Sequence, residues 1–218
     1  MKYKCIVFDH DDTVVRSSEL IHYPSFNEFV NIYRPNIKIT FEEYIKYNFE
    51  PGVVSFFKDI CGLNEEEMKI EESIWHKNTQ NSIPIAFDGL KEIMFELRKQ
   101  GTIIAVISHS MKKNILRDYE YNGLPVPDIV YGWEEPKELR KPNPYALFKI
   151  MDTYNIKANE ILVLDDLKPG YDMAKAAGTV FAAPGWAYDV KEIEDFMLKN
   201  ADFYFKTVQE FKNHLEIN

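Results

Sequence analysis

Residues 5–13 read Cys-Ile-Val-Phe-Asp-His-Asp-Asp-Thr, an apolar run that stops abruptly at three carboxylates, Asp9, Asp11 and Asp12. Residues 3–8 are short, apolar and β-branched, which predicts a buried strand. Acids crowded just past its end are hard to account for by packing. Like charges so close destabilise one another unless a cation or a proton sits among them. Open α/β sheets bind their ligands outside the carboxyl ends of the strands. The stretch therefore nominates a metal-assisted carboxylate site.

Outward from that strand, residues 16–83 carry helix-like spacing of apolar residues over 25–33, 41–49, 53–60 and 65–77. Breaks fall at Pro35, Pro51-Gly52 and Gly62-Leu63-Asn64. From residue 84 the texture changes. Helices are predicted over 88–100, 111–121, 143–154, 169–177 and 208–215, and strands over 102–107, 128–131, 160–164, 179–182 and 201–205. Alternating strands and helices imply a parallel sheet covered on both faces. The expected architecture is α/β: a Rossmann-like core of residues 1–15 and 84–218, with a small all-helical cap of residues 16–83. The cap would leave the sheet edge that bears the acids, which suits a lid.

Bulk properties narrow the function classes. A net charge of −9 in 218 residues offers no basic excess for nucleic acid. No run approaches the roughly 18 apolar residues of a membrane span. Two cysteines, Cys5 and Cys61, are too few for a disulfide framework, and the opening residues lack a signal peptide's apolar core. The expectation is a cytoplasmic protein with neither a nucleic-acid nor a membrane partner. Oligomeric state is not legible.

Four strand ends carry suggestive polar groups: Asp9, Asp11, Asp12 and Thr13; Ser108, His109 and Ser110; Arg140, Lys141 and Pro142; and Asp165 with Asp166. In this order they resemble the four motifs of the haloacid dehalogenase-like hydrolase superfamily. Asp9-His10-Asp11-Asp12-Thr13 is similar to its first motif, Asp-x-Asp-Gly-Thr, and the apolar run ending at Ser108 to its second. Lys141-Pro142 is similar to the third. Asp165-Asp166, followed by Gly170 and the small-residue stretch to Gly178, is similar to the fourth. There are departures. Asp12 stands where the family has Gly, Leu167 where Ser is common, and His109 where Asn is frequent. Asp tolerates the turn that Gly eases better than most residues do.

A carboxylate nucleophile can split a phosphoryl displacement into two easier steps through an acyl-phosphate. The resemblance implies Asp9 in that role. Asp11, two residues on, would serve as general acid and base, which calls for a raised pKa. It also implies Mg²⁺ held by Asp9, Asp165, Asp166 and the backbone carbonyl of Asp11. Ser108, His109 and Lys141 are the expected substrate contacts, with Ser108 and Lys141 on the phosphoryl oxygens. Asp12 reads as structural, and Arg16, Ser17 and Ser18 as a helix cap. The expected activity is Mg²⁺-dependent hydrolysis of a small phosphorylated metabolite. The alternatives are a sugar phosphomutase of the same family and a non-catalytic relative that binds a phosphorylated ligand.

Overall fold

The computed structural model describes residues 2–217. Six strands form one sheet: β1 (Cys5–Phe8), β2 (Ile103–Ile107), β3 (Ile129–Tyr131), β4 (Ile161–Leu164), β5 (Val180–Pro184) and β6 (Phe203–Phe205). Every pairing is parallel and the order is β3-β2-β1-β4-β5-β6. β1 is central and wholly buried. Its side chains alternate, with Cys5 and Val7 in one apolar core and Ile6 and Phe8 in the other. A strand buried on both faces has to be apolar throughout, and this one is.

The helices are α1 (Tyr23–Tyr33), α2 (Phe41–Phe49), α3 (Val53–Ser55), α4 (Glu65–Asn81), α5 (Leu90–Lys99), α6 (Lys112–Tyr121), α7 (Tyr145–Tyr154), α8 (Lys168–Ala177), α9 (Lys191–Asn200) and α10 (Val208–His214). Two π-helical turns, Ser18–His22 and Phe56–Ile60, lead into α1 and follow α3. The expected helix over 53–60 is thus split into a short α piece and a π turn. Helix α9 has no counterpart among the expected elements. It buries Ile193 and Met197 and starts without a side-chain cap.

The segment between β1 and α5 is helical and packs around an aromatic cluster of Phe26, Tyr44, Phe56 and Phe57. α2 and α4 both begin with a capping box, on Thr40 with Glu43 and on Asn64 with Glu67, so their first backbone N–H groups find acceptors locally. The two chain passages joining this segment to the sheet run side by side. Val15 bridges Ala86, the Arg16 N–H donates to the Ile85 carbonyl at 2.9 Å, and the Phe87 N–H donates to the Val14 carbonyl at 3.0 Å. Helix α6 grips the base of the returning passage. The Ala86 N–H donates to Asn122 Oδ1, whose amide donates to the Pro84 carbonyl. Arg117 donates to the carbonyls of Thr79, Gln80 and Ser82, which the end of α4 leaves without helical partners.

Candidate active site

Strand register brings the acids together. Phe8 is level with Val106 on one side and Leu164 on the other, so Asp9 stands beside Asp165 with neighbouring strands about 4.8 Å apart. The Asp9 N–H donates to the Leu164 carbonyl at 2.8 Å, which extends the ladder one residue past the strand end. Ligand oxygens of Asp9, Asp165 and Asp166 all lie within 4.8 Å of one another, and all three residues are buried.

Lys141 enters from the loop before α7, buried and joined to Pro142 by a cis peptide bond. Its Nζ lies 2.9 Å from Asp9 Oδ1 and 2.7 Å from Asp165 Oδ2. Burial disfavours its charge, but Asp165 and Asp9 outweigh that and hold the ammonium protonated, with its pKa raised. Asp165 is also tied down by the Leu167 N–H at 3.0 Å. Burial pushes its pKa up to about 7, with Lys141 opposing and Asp9 adding to the rise. Gly170 lets α8 approach this closely, because a Cβ there would sit 2.0 Å from Asp165 Cγ. Asp166 accepts from the Thr13 hydroxyl at 3.1 Å and from the Tyr188 hydroxyl at 2.8 Å. Burial, then Asp9 and Asp165, drive its pKa well above the ordinary carboxylate value.

Three buried carboxylates and one lysine ammonium leave a surplus of negative charge. That donor set fits a hard divalent cation with oxygen ligands such as Mg²⁺. The Asp11 carboxylate stands apart from the cluster. It accepts from Ser110 Oγ at 2.6 Å and meets His22 Nε2 at 3.0 Å, with Ser108 Oγ at 3.5 Å. Burial works against its charge, yet His22 and Ser110 bring its pKa below the usual range. This is opposite to the rise expected from the sequence. The reason is that His22, from the turn ahead of α1, supplies a donor that no motif advertised.

The indole N–H of Trp75 on α4 donates to His22 Nδ1 at 2.9 Å. Nδ1 is therefore an acceptor, and Nε2 carries the ring proton toward Asp11. Burial opposes an imidazolium at His22, while Asp11 raises its pKa; the Trp75 contact must open before Nδ1 can take that second proton. Neither His22 nor Tyr188 stood among the expected site residues, because only the folded chain brings them to the acids.

The remaining sequence expectations sort as follows. Asp12 has φ of 55°, the left-handed region expected of a Gly substitute. Its Oδ1 accepts from the N–H groups of Ser17 and Ser18, so Asp12 caps the π turn and the Ser17 side chain does not. The Ser108 hydroxyl accepts from the Ser110 N–H at 3.1 Å. His109 lies with Nε2 3.1 Å from the Lys141 carbonyl, and burial with the Lys141 charge lowers its pKa to about 4, so its ring is neutral. Arg16 stacks over Phe87 beside the paired chain passages. An open cleft of about 590 Å³ runs beside it, and of its lining residues Tyr188 is the one bonded to the carboxylate cluster. Between helical segment and core, Trp75 packs edge-on to Trp133, on which Arg140 stacks at 3.9 Å.

Residues 6–183 match the family model described as haloacid dehalogenase-like hydrolase. Pyrophosphatase PpaX of Listeria innocua is 23% identical over 204 residues, covering 91% of this chain and 93% of that protein. Pyrophosphatase PpaX of Bacillus cereus is 25% identical over the same length and coverage. Among solved structures, a predicted phosphoglycolate phosphatase from Haemophilus somnus superposes with a TM-score of 0.75 at 19% identity, covering 99% of this chain and 98% of that one. CbbY from Rhodobacter sphaeroides, in complex with xylulose-1,5-bisphosphate, gives 0.71 at 17% identity and 94% of each chain. These structural likenesses establish a shared fold. With the model spanning most of its length and the acids and lysine it resembles the family by gathered at one sheet edge, the chain belongs to the haloacid dehalogenase-like hydrolases.

Proposed function

We propose that the protein is a Mg²⁺-dependent phosphatase that hydrolyses a small phosphate monoester through an aspartyl-phosphate on Asp9. The observation that carries this reading is the division of labour between two acids two residues apart. Asp9 faces Lys141 within the buried carboxylate cluster, while Asp11 is held to one side by Ser110 and His22.

In the first step an Asp9 carboxylate oxygen attacks phosphorus and the bond to the leaving oxygen breaks. Asp11 delivers the proton that oxygen needs. In the second step water attacks the phosphorus of the acyl-phosphate, its proton passes to Asp11, and Asp9 is released. Lys141 serves as a point charge on the transferring group, and Ser108 donates to one of its oxygens. A Mg²⁺ ion bound by Asp9, Asp165, Asp166 and the Asp11 carbonyl would neutralise phosphoryl charge. Tyr188 and Thr13 orient the Asp166 carboxylate for that purpose.

At rest the Asp11 carboxylate is held ionised by hydrogen bonds from His22 and Ser110. A leaving oxygen that displaces those donors removes what lowers the Asp11 pKa, so Asp11 takes up a proton from solvent as the site fills, which couples proton delivery to a filled site. Residues 16–83 act as the cap over it. Two buried free cysteines suit a reducing cytoplasm. Phosphate release across a panel of phosphate esters with Mg²⁺ tests the reading. Asp9→Asn is expected to lose at least about a thousandfold in rate while keeping the wild-type melting curve. Conversion of a hexose 1-phosphate to its isomer without phosphate release would replace hydrolysis by mutase chemistry.

A further inference from the structure

Two buried polar side chains take no part in the chemistry above. His10, between Asp9 and Asp11, and Asp118 on α6 are 1% and 3% exposed. His10 Nε2 lies 3.0 Å from Asp118 Oδ2, and Nδ1 has no hydrogen-bond partner among the described residues. A carboxylate offers acceptors to a ring nitrogen, so Nε2 is the donor. The ring lies nearly parallel to that of Tyr119, with 6.0 Å between centroids and 26° between planes. The other Asp118 oxygen accepts from Arg117 Nε at 2.8 Å and from its Nη2 at 2.7 Å. Arg117 then donates to the carbonyls of Thr79, Gln80 and Ser82, each at 3.0 Å. A continuous chain of hydrogen bonds thus leads from the residue between the two acids to the end of α4, where the helical segment turns back toward the sheet.

Packing alone does not call for this arrangement. A buried polar triad often adds no net stability over apolar side chains of the same shape; what it imposes is a fixed geometry. That geometry matters at Asp11. Asp9 is already held by its ladder bond to Leu164 and by Lys141. The Asp11 carboxylate is held by His22 and Ser110, the same donors that a leaving oxygen displaces. Once they let go, the aim of Asp11 rests on its main chain. His10 fixes that main chain from two sides. Its carbonyl accepts from the Val14 and Val15 N–H groups at 2.9 and 3.1 Å, closing the turn, and its ring is tied to α6.

We propose that His10 is a positioning residue for proton delivery. Tied through Asp118 to Arg117, it holds the main chain of Asp11 in the aim the leaving oxygen needs, and it makes that aim depend on how the helical segment is anchored. This deepens the phosphatase reading and rests on it.

The test compares two esters with Mg²⁺ present. The alkoxide of glycerol 2-phosphate leaves only with a proton, whereas the phenolate of 4-nitrophenyl phosphate leaves without one. His10→Leu fills the space but cannot hold Asp118. It should lower kcat/KM about a hundredfold for glycerol 2-phosphate and at most about tenfold for the nitrophenyl ester. His10→Gln sets an amide N–H near the place of Nε2 and should recover about tenfold of the loss on glycerol 2-phosphate. Arg117→Ala should cost the alkyl ester about threefold more than the nitrophenyl ester in the wild-type background and add no such difference to His10→Leu, where the tether is already cut. Equal losses on the two esters, or a His10→Gln no better than His10→Leu, overturn the assignment. A second measurement needs no turnover. Hydrogen exchange at the Val14 and Val15 amides should rise about tenfold in Arg117→Ala beyond any rise shared by the amides of β4 and β5. The absence of that excess overturns the tether whether or not the His10 variants fold. Wild type that turns over neither ester, with the excess exchange present, would remove the phosphatase reading and leave the tether standing.

Discussion

Single residues at this site are fixed by distances that leave little freedom. Gly170 is the sharpest case, since any side chain there collides with Asp165. Gly170→Ala is expected to cost roughly 3 kcal/mol in urea unfolding through overpacking, and to lower phosphate release further by displacing Asp165 from Lys141. Glu71, buried on α4, gives a prediction of a different kind. Burial, then Glu72, lift its pKa to about 7 from 4.5, and His22 opposes them; Tyr44 and Cys61 feel its charge. The folded state therefore holds a proton that the unfolded state has released. Stability contributed by that proton is full below pH 4.5 and drains away as pH rises through 7. Relative to Glu71→Gln, the wild type should lose about 3 kcal/mol between pH 4.5 and pH 8 in parallel denaturation series. A flat difference would show that Glu71 is solvated in solution.

Elements show what sequence pattern conveys and where it stops. β1, β2 and β4 were legible because an uninterrupted apolar run that ends in polar residues seldom occurs outside a buried strand, and Asp9, Ser108, Lys141 and Asp165 could be named from the endings and loops around them. The partnership of His22 with Asp11, the reach of Tyr188 to Asp166 and the burial of Glu71 were not legible. Each depends on two segments meeting across 11 to 22 residues or between helices of the inserted segment. Helix α9 did leave a trace, Ile193, Phe196 and Met197 at helical spacing, without a capping residue to announce it. Helix α6 has a mechanical part to play. Arg117 satisfies the frayed end of α4 and pairs with Asp118, which in turn bonds His10 between Asp9 and Asp11. Arg117→Ala should cost about 2–3 kcal/mol in thermal or chemical unfolding, and raise KM more than it lowers kcat, because it loosens the helical segment while leaving Asp9 and Lys141 in place.

The molecule as a whole encloses its acids between sheet and helical segment, with contacts that include α2 on α9 through Phe49 and Phe196, α4 on α6, Trp75 on Trp133, and His22 on Asp11. Cys5 lies at the centre of this body, fully buried, with burial lifting its thiol to about 12. A thiol reagent at neutral pH should label Cys61 first and reach Cys5 only at the rate of global unfolding, so the Cys5 reaction reports that rate directly. Coincident labelling of both cysteines would mean that the helical segment opens only together with the central strand.

The paired passages at Val15 and Ala86 carry one last implication. Because the two ends of the inserted stretch are already fastened to each other, whatever is strung between them hangs from the sheet as a pendant. Lengthening or rewriting it adds only a slowly growing closure entropy and leaves the strand register untouched. Inheritance can therefore keep the acids at the sheet's rim constant while trying out new selectivity in the pendant, one graft at a time.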